Sequence, residues 1–346
     1  MKKPEYPYSY EQLQSSVIDK LREIGHPERI QNWGMIGGGA ESGGTWRRNY
    51  ESYQAIGFRQ RLIHEAYDPD LSCKMLGRPL AMPIAVAPMA AAAYLAHEDP
   101  FLEIAKACHQ CGIAAGIGFP SGKVQGRDMT AICKNSFRII KPHMNEQILF
   151  EELQQSQADG CMAVGIDLDS LADLKTGDDA GHFGDFTKAY DKELLKEVRK
   201  SVSVPFILKG IMSIQDAEAA MEIGADALVV STHAGYGLDC GYSPLEVLSG
   251  IRNVVGPSIE LYVDSGIRRG TDVLKAIAMG ANCVWIGRLM IWGLLLDGAN
   301  GIAWIIHLLE QEMVRTMRLI GAACCTELDQ TCLVPLNDMG SRMLRV

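Results

Sequence analysis

Residues 205–235, PFILKGIMSIQDAEAAMEIGADALVVSTHAG, read as strand, helix and strand. Pro205–Lys209 is short and apolar. Ser213–Gly224 spaces its apolar residues three and four apart and closes on glycine, and Ala227–Ser231 is again short and β-branched. Two strands joined by a helix of crossover length define a parallel unit, since strands running the same way cannot be joined by a tight hairpin.

The same alternation extends in both directions. Strand runs fall at Pro83–Pro88, Gly112–Gly116, Phe137–Lys141, Met162–Asp167, Pro205–Lys209, Ala227–Ser231, Glu260–Asp264 and Cys283–Gly287, with helical stretches such as Asn145–Ala158 and Thr271–Gly280 between them. Eight evenly spaced βα units over about 250 residues favour a closed (β/α)8 TIM barrel over a doubly wound sheet. Residues 81–334 are therefore expected to form the barrel. Residues 1–80 read as an N-terminal helical extension with a glycine-rich loop, Gly37–Gly44, and residues 335–346 as a tail. The polar segment Leu168–Lys188 follows a strand and is a candidate βα lid loop.

Composition narrows the partners. A formal net charge of −9 gives no basic footprint for nucleic acid or an anionic membrane. The start lacks a signal-peptide core and the apolar stretches look too short or interrupted to span a bilayer, so a cytoplasmic protein acting on a small molecule is expected. The ten cysteines are scattered without metal spacing, which reads as buried thiols, Cys108 and Cys111 included. Cys240 reads as a loop thiol, and the Cys324–Cys325 doublet is unexplained.

In such a barrel the strand C-termini surround the active-site mouth. The runs end in Asp167, Lys209-Gly210, Ser231-Thr232-His233, Asp264-Ser265-Gly266 and Gly287-Arg288. Backbone N–H groups at Gly266 and Gly287, with Arg268 and Arg288, suit a phosphate. His233 with the Asp167 carboxylate suits a general base and its partner. A core histidine and solvated arginines are the plain alternatives.

The two stretches 206–235 and YVDSGIRRGTDVLKAIAMGANCVWIGR (262–288) resemble the FMN-dependent α-hydroxy-acid oxidases and dehydrogenases, the glycolate and lactate oxidase group. Weaker similarity in GGGAESGGTWRRN and LGRPLAMPIAVAPMA extends it over roughly residues 30 to 334. The resemblance implies bound FMN, with Lys209 beside flavin N1/O2 favouring the reduced ring. It further implies Ser231 on the flavin and Pro88, Met89, Ala90 and Ala91 packed on the isoalloxazine. Asp264, Gly266, Arg268, Gly287 and Arg288 would contact ribityl and phosphate, and a homotetramer is implied.

The substrate half departs from that family. The family's HGGRQLD pattern is HAGYGLD here, so Tyr236 replaces an arginine that grips the substrate carboxylate. A second arginine is missing from GIDLDSLADLKTG, Trp33 replaces a tyrosine, and Lys141 falls near a strand-end tyrosine. Lys141 or Lys175 could replace the arginines, or Lys141 could simply snorkel. Trp33, Lys141 and Tyr236 thus mark a substrate larger or more apolar than lactate or glycolate, unless the two aromatics only fill core. An isomerase or racemase on the same scaffold, or a non-catalytic flavin-binding protein, stays open beside oxidation.

Overall fold

A computed structural model describes residues 9–26, 38–65, 68–89, 96–118, 126–171 and 187–336. Eight parallel strands close a barrel: β4 (Ile84–Met89), β5 (Ala114–Ile117), β6 (Ser136–Ile140), β7 (Val164–Asp167), β8 (Phe206–Lys209), β9 (Ala227–Val230), β10 (Glu260–Val263) and β11 (Cys283–Ile286). Around it lie α3 (Pro100–Cys111), α4 (Gly126–Ile132), α5 (Glu146–Ala158), α6 (Lys192–Ser201), α7 (Ile214–Ile223), α8 (Pro244–Val255), α9 (Gly270–Ala278) and α10 (Arg288–Ile320). The opening 205–235 segment folds as read. Ser213 caps α7 by accepting from the Asp216 N–H, and Gly224 ends it in a left-handed conformation.

Side-chain alternation sorts the barrel into two apolar layers. Ala85, Ala87, Phe137, Ile139, Ala163, Ile207, Ala227, Val229, Tyr262, Cys283 and Trp285 fill the interior. Their neighbours Ile84, Val86, Ile140, Val164, Phe206, Leu208, Leu228, Val230, Leu261 and Val263 face the helices. Continuing the inward series in steps of two, through Gly165 on β7, places Lys141, Asp167, Lys209, Ser231, Asp264 and Gly287 at the C-terminal mouth. Gly165 belongs to that series because the barrel is tight there: a Cβ would lie 2.3 Å from the Ile207 carbonyl oxygen.

The N-terminal segment does more than cap. Helices α1 (Tyr10–Glu23) and α2 (Gly44–Gln54) precede a three-residue strand, β1 (Ile56–Phe58), which pairs antiparallel with β12 (Leu333–Pro335). A hairpin of β2 (Cys73–Met75) and β3 (Arg78–Leu80) then closes the barrel floor, where Met75 and Leu80 join the interior layer. Glu260 fixes the hairpin by accepting from the Leu76 N–H at 2.9 Å and from Tyr262 Oη at 2.7 Å. These short strands escape a sequence reading because their order comes from contacts with distant residues.

Helix α10 is long and apolar enough to cross a membrane by length and composition, but 61% of its most apolar window is buried. Non-helical Asp297 and Gly298 break it, and Gly293 packs so closely on Gly301 that a Cβ would lie 2.6 Å from that residue's oxygen. Its burial against α3, α9 and α1 accounts for the hydropathy. All ten cysteines are free, but only Cys108, Cys133, Cys161, Cys283 and Cys325 are buried; Cys111 is half-buried and Cys240 exposed, and burial pushes the Cys111 thiol up to about 11 and Cys325 up to about 12.

Candidate active site

Strand register brings three charges into one row. Ile140 is paired with Ile166 and Asp167 with Lys209, so Lys141, Asp167 and Lys209 stand on adjacent strands at one level. Lys209 Nζ donates to Asp167 Oδ1 at 2.7 Å, and Lys141 Nζ to Oδ2 at 2.6 Å. Ser170 Oγ donates to the same Oδ2 at 2.7 Å. All three charged groups are buried. Burial would raise the Asp167 carboxyl, but Lys141, Lys209 and then His233 hold it well below the usual range. Burial likewise opposes charge on Lys209, and Asp167, Asp169 and Asp264 overcome it, so its ammonium is kept. Asp264, facing the same interior, is raised because burial outweighs Lys209 and the Ser231 and Ser265 hydroxyls.

His233 begins the turn after β9. Its N–H donates to Ser231 Oγ at 3.0 Å, and its Nδ1 lies 3.1 Å from Asp169 Oδ1 and 3.7 Å from Asp167 Oδ2. No described residue bonds Nε2, and the side chain is 35% exposed, so that nitrogen can meet a substrate. The turn is strained: His233 and Ala234 have φ of 50° and 57°, and the neighbouring Ser265 has 70°. Hydrogen bonds hold it, with Ala234 N–H donating to Ser265 Oγ and Ala40 N–H to the Gly235 oxygen. Gly235 is needed where α2 comes close, because a Cβ would lie 2.7 Å from the Trp46 nitrogen. Asp239 completes the attachment by accepting from Ser42 and from the Thr45 N–H, and the Ser42 hydroxyl first among these bonds lowers its carboxyl pKa.

The phosphate corner divides its two arginines. Arg268 donates to Tyr10 Oη at 3.2 Å, to Tyr50 Oη and to the Ile267 oxygen, and lies 4.8 Å over the Tyr50 ring and 5.5 Å over Trp292. It therefore ties α1 and α2 to the barrel while keeping further guanidinium hydrogens for an anion. Arg288 opens α10, its Nη2 at 3.5 Å from the Ala234 oxygen and its Nη1 buried without a partner among the described residues. The α10 N-terminus has no side-chain cap. An orphaned guanidinium nitrogen at an uncapped helix N-terminus fits a phosphate. Gly266 is required beside it for another reason: its φ is 93°, and a Cβ would lie 2.2 Å from the Asn49 oxygen.

The structure thus gathers His233, Asp167, Lys209, Ser231, Asp264, Gly266, Gly287, Arg288, Pro88 and Met89 around one mouth. Lys141 neither reaches outward nor snorkels, because its ammonium is held by Asp167 and Ser170. Tyr236 lies against Arg288, 6.0 Å from ring centre to guanidinium. Trp33, Ala90, Ala91 and Lys175, with most of the lid segment (172–186), lie outside the described residues. The far end of that segment is fastened at Thr187, bridged to His143, and Tyr190 Oη donates to the His143 oxygen at 2.8 Å. Sequence reasoning missed Asp169 and Ser170, although the Asp-Leu-Asp spacing was visible. It also missed Tyr10 and Tyr50, which no local signal connects to Arg268.

A barrel with an anion corner and a lysine, a carboxylate and a histidine at its mouth suits a phosphate-bearing redox cofactor, and comparison with known proteins shows a flavin-dependent oxidoreductase. The chain matches the FMN-dependent dehydrogenase family over residues 27–182 and 175–335, belongs to that family, and uses FMN as its cofactor. It is 28% identical over 350 residues to an oxidase of Gibberella fujikuroi, Oxidase FUB9, covering 96% of this chain and 95% of that protein. It is 29% identical to the peroxisomal (S)-2-hydroxyacid oxidase GLO3 of Arabidopsis thaliana, covering 89% and 93%. The crystal structure of mandelate oxidase with (S)-4-hydroxymandelic acid superposes with a TM-score of 0.85 at 26% identity, covering 95% of this chain and 98% of that one.

Proposed function

We propose that this enzyme oxidises the CH–OH group of a 2-hydroxy compound larger or more apolar than lactate or glycolate, with His233 as the base. The observation that carries the reading is the imidazole itself: Nδ1 is turned to a carboxylate at 3.1 Å while Nε2 stays unbonded among the described residues. That arrangement fixes the ring and leaves one nitrogen to take the hydroxyl or α-carbon proton. Bound FMN supplies the acceptor for the two electrons that leave the substrate carbon. Lys209 keeps a buried positive charge at the mouth, and Arg288 with the α10 N-terminus is the anion corner for the phosphate.

The substrate class follows from the cations. Lys141 is committed to Asp167, and Tyr236 presents a ring where a guanidinium would grip a carboxylate. Trp46 and Tyr236 both border the anion corner, with ring centres 5.8 and 6.0 Å from Arg288, and neither supplies a cation for a substrate carboxylate. Kinship with mandelate oxidase, whose solved complex holds an aromatic 2-hydroxy acid, supports the same direction. The test is a turnover panel of glycolate, lactate, mandelate and neutral mandelamide with wild type and Tyr236→Arg. Wild type is expected to prefer the aromatic compounds, and the variant to gain on the short acids by about tenfold or more, the worth of one charge-assisted bond. A variant with an unaltered profile would contradict the assignment of Tyr236 to the substrate pocket.

A further inference from the structure

Asp167 spends its hydrogen bonds on groups other than the histidine. One of its oxygens takes Lys209 at 2.7 Å, and the other takes Lys141 at 2.6 Å and Ser170 at 2.7 Å. Its approach to His233 Nδ1, 3.7 Å, is beyond a hydrogen bond. Asp169, two residues further in the same turn, brings Oδ1 to 3.1 Å from that nitrogen. Gly210 makes the position possible, since at its φ of 100° a Cβ would lie 2.9 Å from the Asp169 Cβ. Lys209 Nζ forms a longer ion pair with Asp169 Oδ1 at 3.5 Å and makes its hydrogen bond to Asp167 instead.

Charge leads to the same residue. Two ammoniums, Lys141 and Lys209, face Asp167, so that carboxylate is balanced before His233 gains a proton. Besides Asp167, the groups at the imidazole Nδ1 are Ser170, which is neutral, and Asp169; Asp264, which burial pushes toward protonation, and Arg288, whose Nη2 is 3.5 Å from the Ala234 oxygen, lie in the adjoining turns. Asp167, Asp169 and His233 could together suggest a metal site, but the ammoniums already occupy the Asp167 oxygens.

We propose that Asp169, rather than Asp167, is the carboxylate that orients His233 and balances its charge once Nε2 is protonated, and that Lys141 has taken Asp167 out of that role. The proposal rests on His233 being the base. Asp169 is a positioning residue: Nδ1–H remains donated to it throughout, and Asp169 itself takes no proton. Lys141 and Asp169 then form a compensating pair, one cancelling a carboxylate and the other restoring it.

The experiment uses FMN-loaded protein labelled with ¹⁵N-histidine. An Nδ1–H held by a carboxylate gives a far-downfield proton signal, identified as that of His233 by its absence in His233→Gln. The signal is expected to vanish in Asp169→Asn and to return at least partly in Asp169→Asn/Lys141→Met, where Asp167 is released. In Asp169→Asn the rate of flavin reduction is expected to fall ~10-fold or more, and the acid limb of its pH profile to move down by about one unit, since the protonated imidazole loses its counter-charge. Survival of the signal in Asp169→Asn, or its absence in the wild type, overturns the proposal. Should His233→Gln reduce flavin normally while the signal behaves as expected, the base assignment fails and the Asp169 contact stands.

Discussion

Replacing Lys141 with methionine tests how the charge row is held together. The ammonium and the Asp167 carboxylate are 8% and 5% exposed and 2.6 Å apart, so the substitution leaves a buried anion short of one partner. Breaking a buried pair costs about 3–5 kcal/mol. Lys209 and Ser170 still bond the carboxylate, which places the expected loss near the lower end, about 3 kcal/mol. Urea unfolding of the FMN-loaded proteins at pH 7 measures it. Acid adds an independent check. A carboxyl depressed in the folded state gives stability that is complete above its unfolded pKa of about 3.9 and lost as pH falls through the folded value. Asp167 is held well below 3.8 in the native protein, and removing Lys141 raises that folded value. The acid-unfolding midpoint of the variant should therefore lie at higher pH. A loss under about 1 kcal/mol with an unshifted acid midpoint would refute the pairing, since about 1 kcal/mol is the most an ordinary exposed ion pair contributes.

Three further outcomes follow from particular contacts. Ala234→Gly relieves a left-handed backbone at φ 57°, worth about 1 kcal/mol, and should raise the thermal midpoint by ~1–2 °C; a lowered midpoint contradicts the strain assignment. Gly266→Ala places a Cβ 2.2 Å from the Asn49 oxygen at an unfavourable φ and should cost about 3 kcal/mol in urea, whereas an unchanged midpoint would show that α2 yields there. Arg288→Met should weaken FMN binding by ~10- to 100-fold in a fluorescence-quenching titration of the apoprotein, the loss of one or two charge-assisted bonds; unaltered affinity removes Arg288 from the phosphate corner.

Much of this was readable in the chain because the barrel repeats one rule. Parity along Phe137–Lys141 or Ala227–Ser231 both identifies a strand and says which end residue turns inward, so one signal supplied fold and mouth together. Lys141 shows the limit. Its inward direction was legible, but its partner depended on register between β6 and β7, which no local pattern encodes. Asp169 was passed over because it follows the strand, where alternation no longer specifies direction. The floor hairpin Cys73–Leu80 was hidden for a related reason: its strands are three residues each and are ordered by Glu260, far away in sequence. Arg268 looked like a phosphate ligand from its place after Gly266, and only the tertiary arrangement shows that Tyr10 and Tyr50 also hold it.

The most direct test of the whole account is anaerobic mixing of the purified yellow protein with mandelate, mandelamide, lactate and glycolate, followed at the flavin absorbance band, for wild type and His233→Gln. The account predicts bleaching by the aromatic 2-hydroxy compounds, slower bleaching by the short acids, and loss of at least ~100-fold in His233→Gln, the usual worth of a positioned base. A flavin that no 2-hydroxy compound reduces, or one that His233→Gln reduces as fast as wild type, would contradict it.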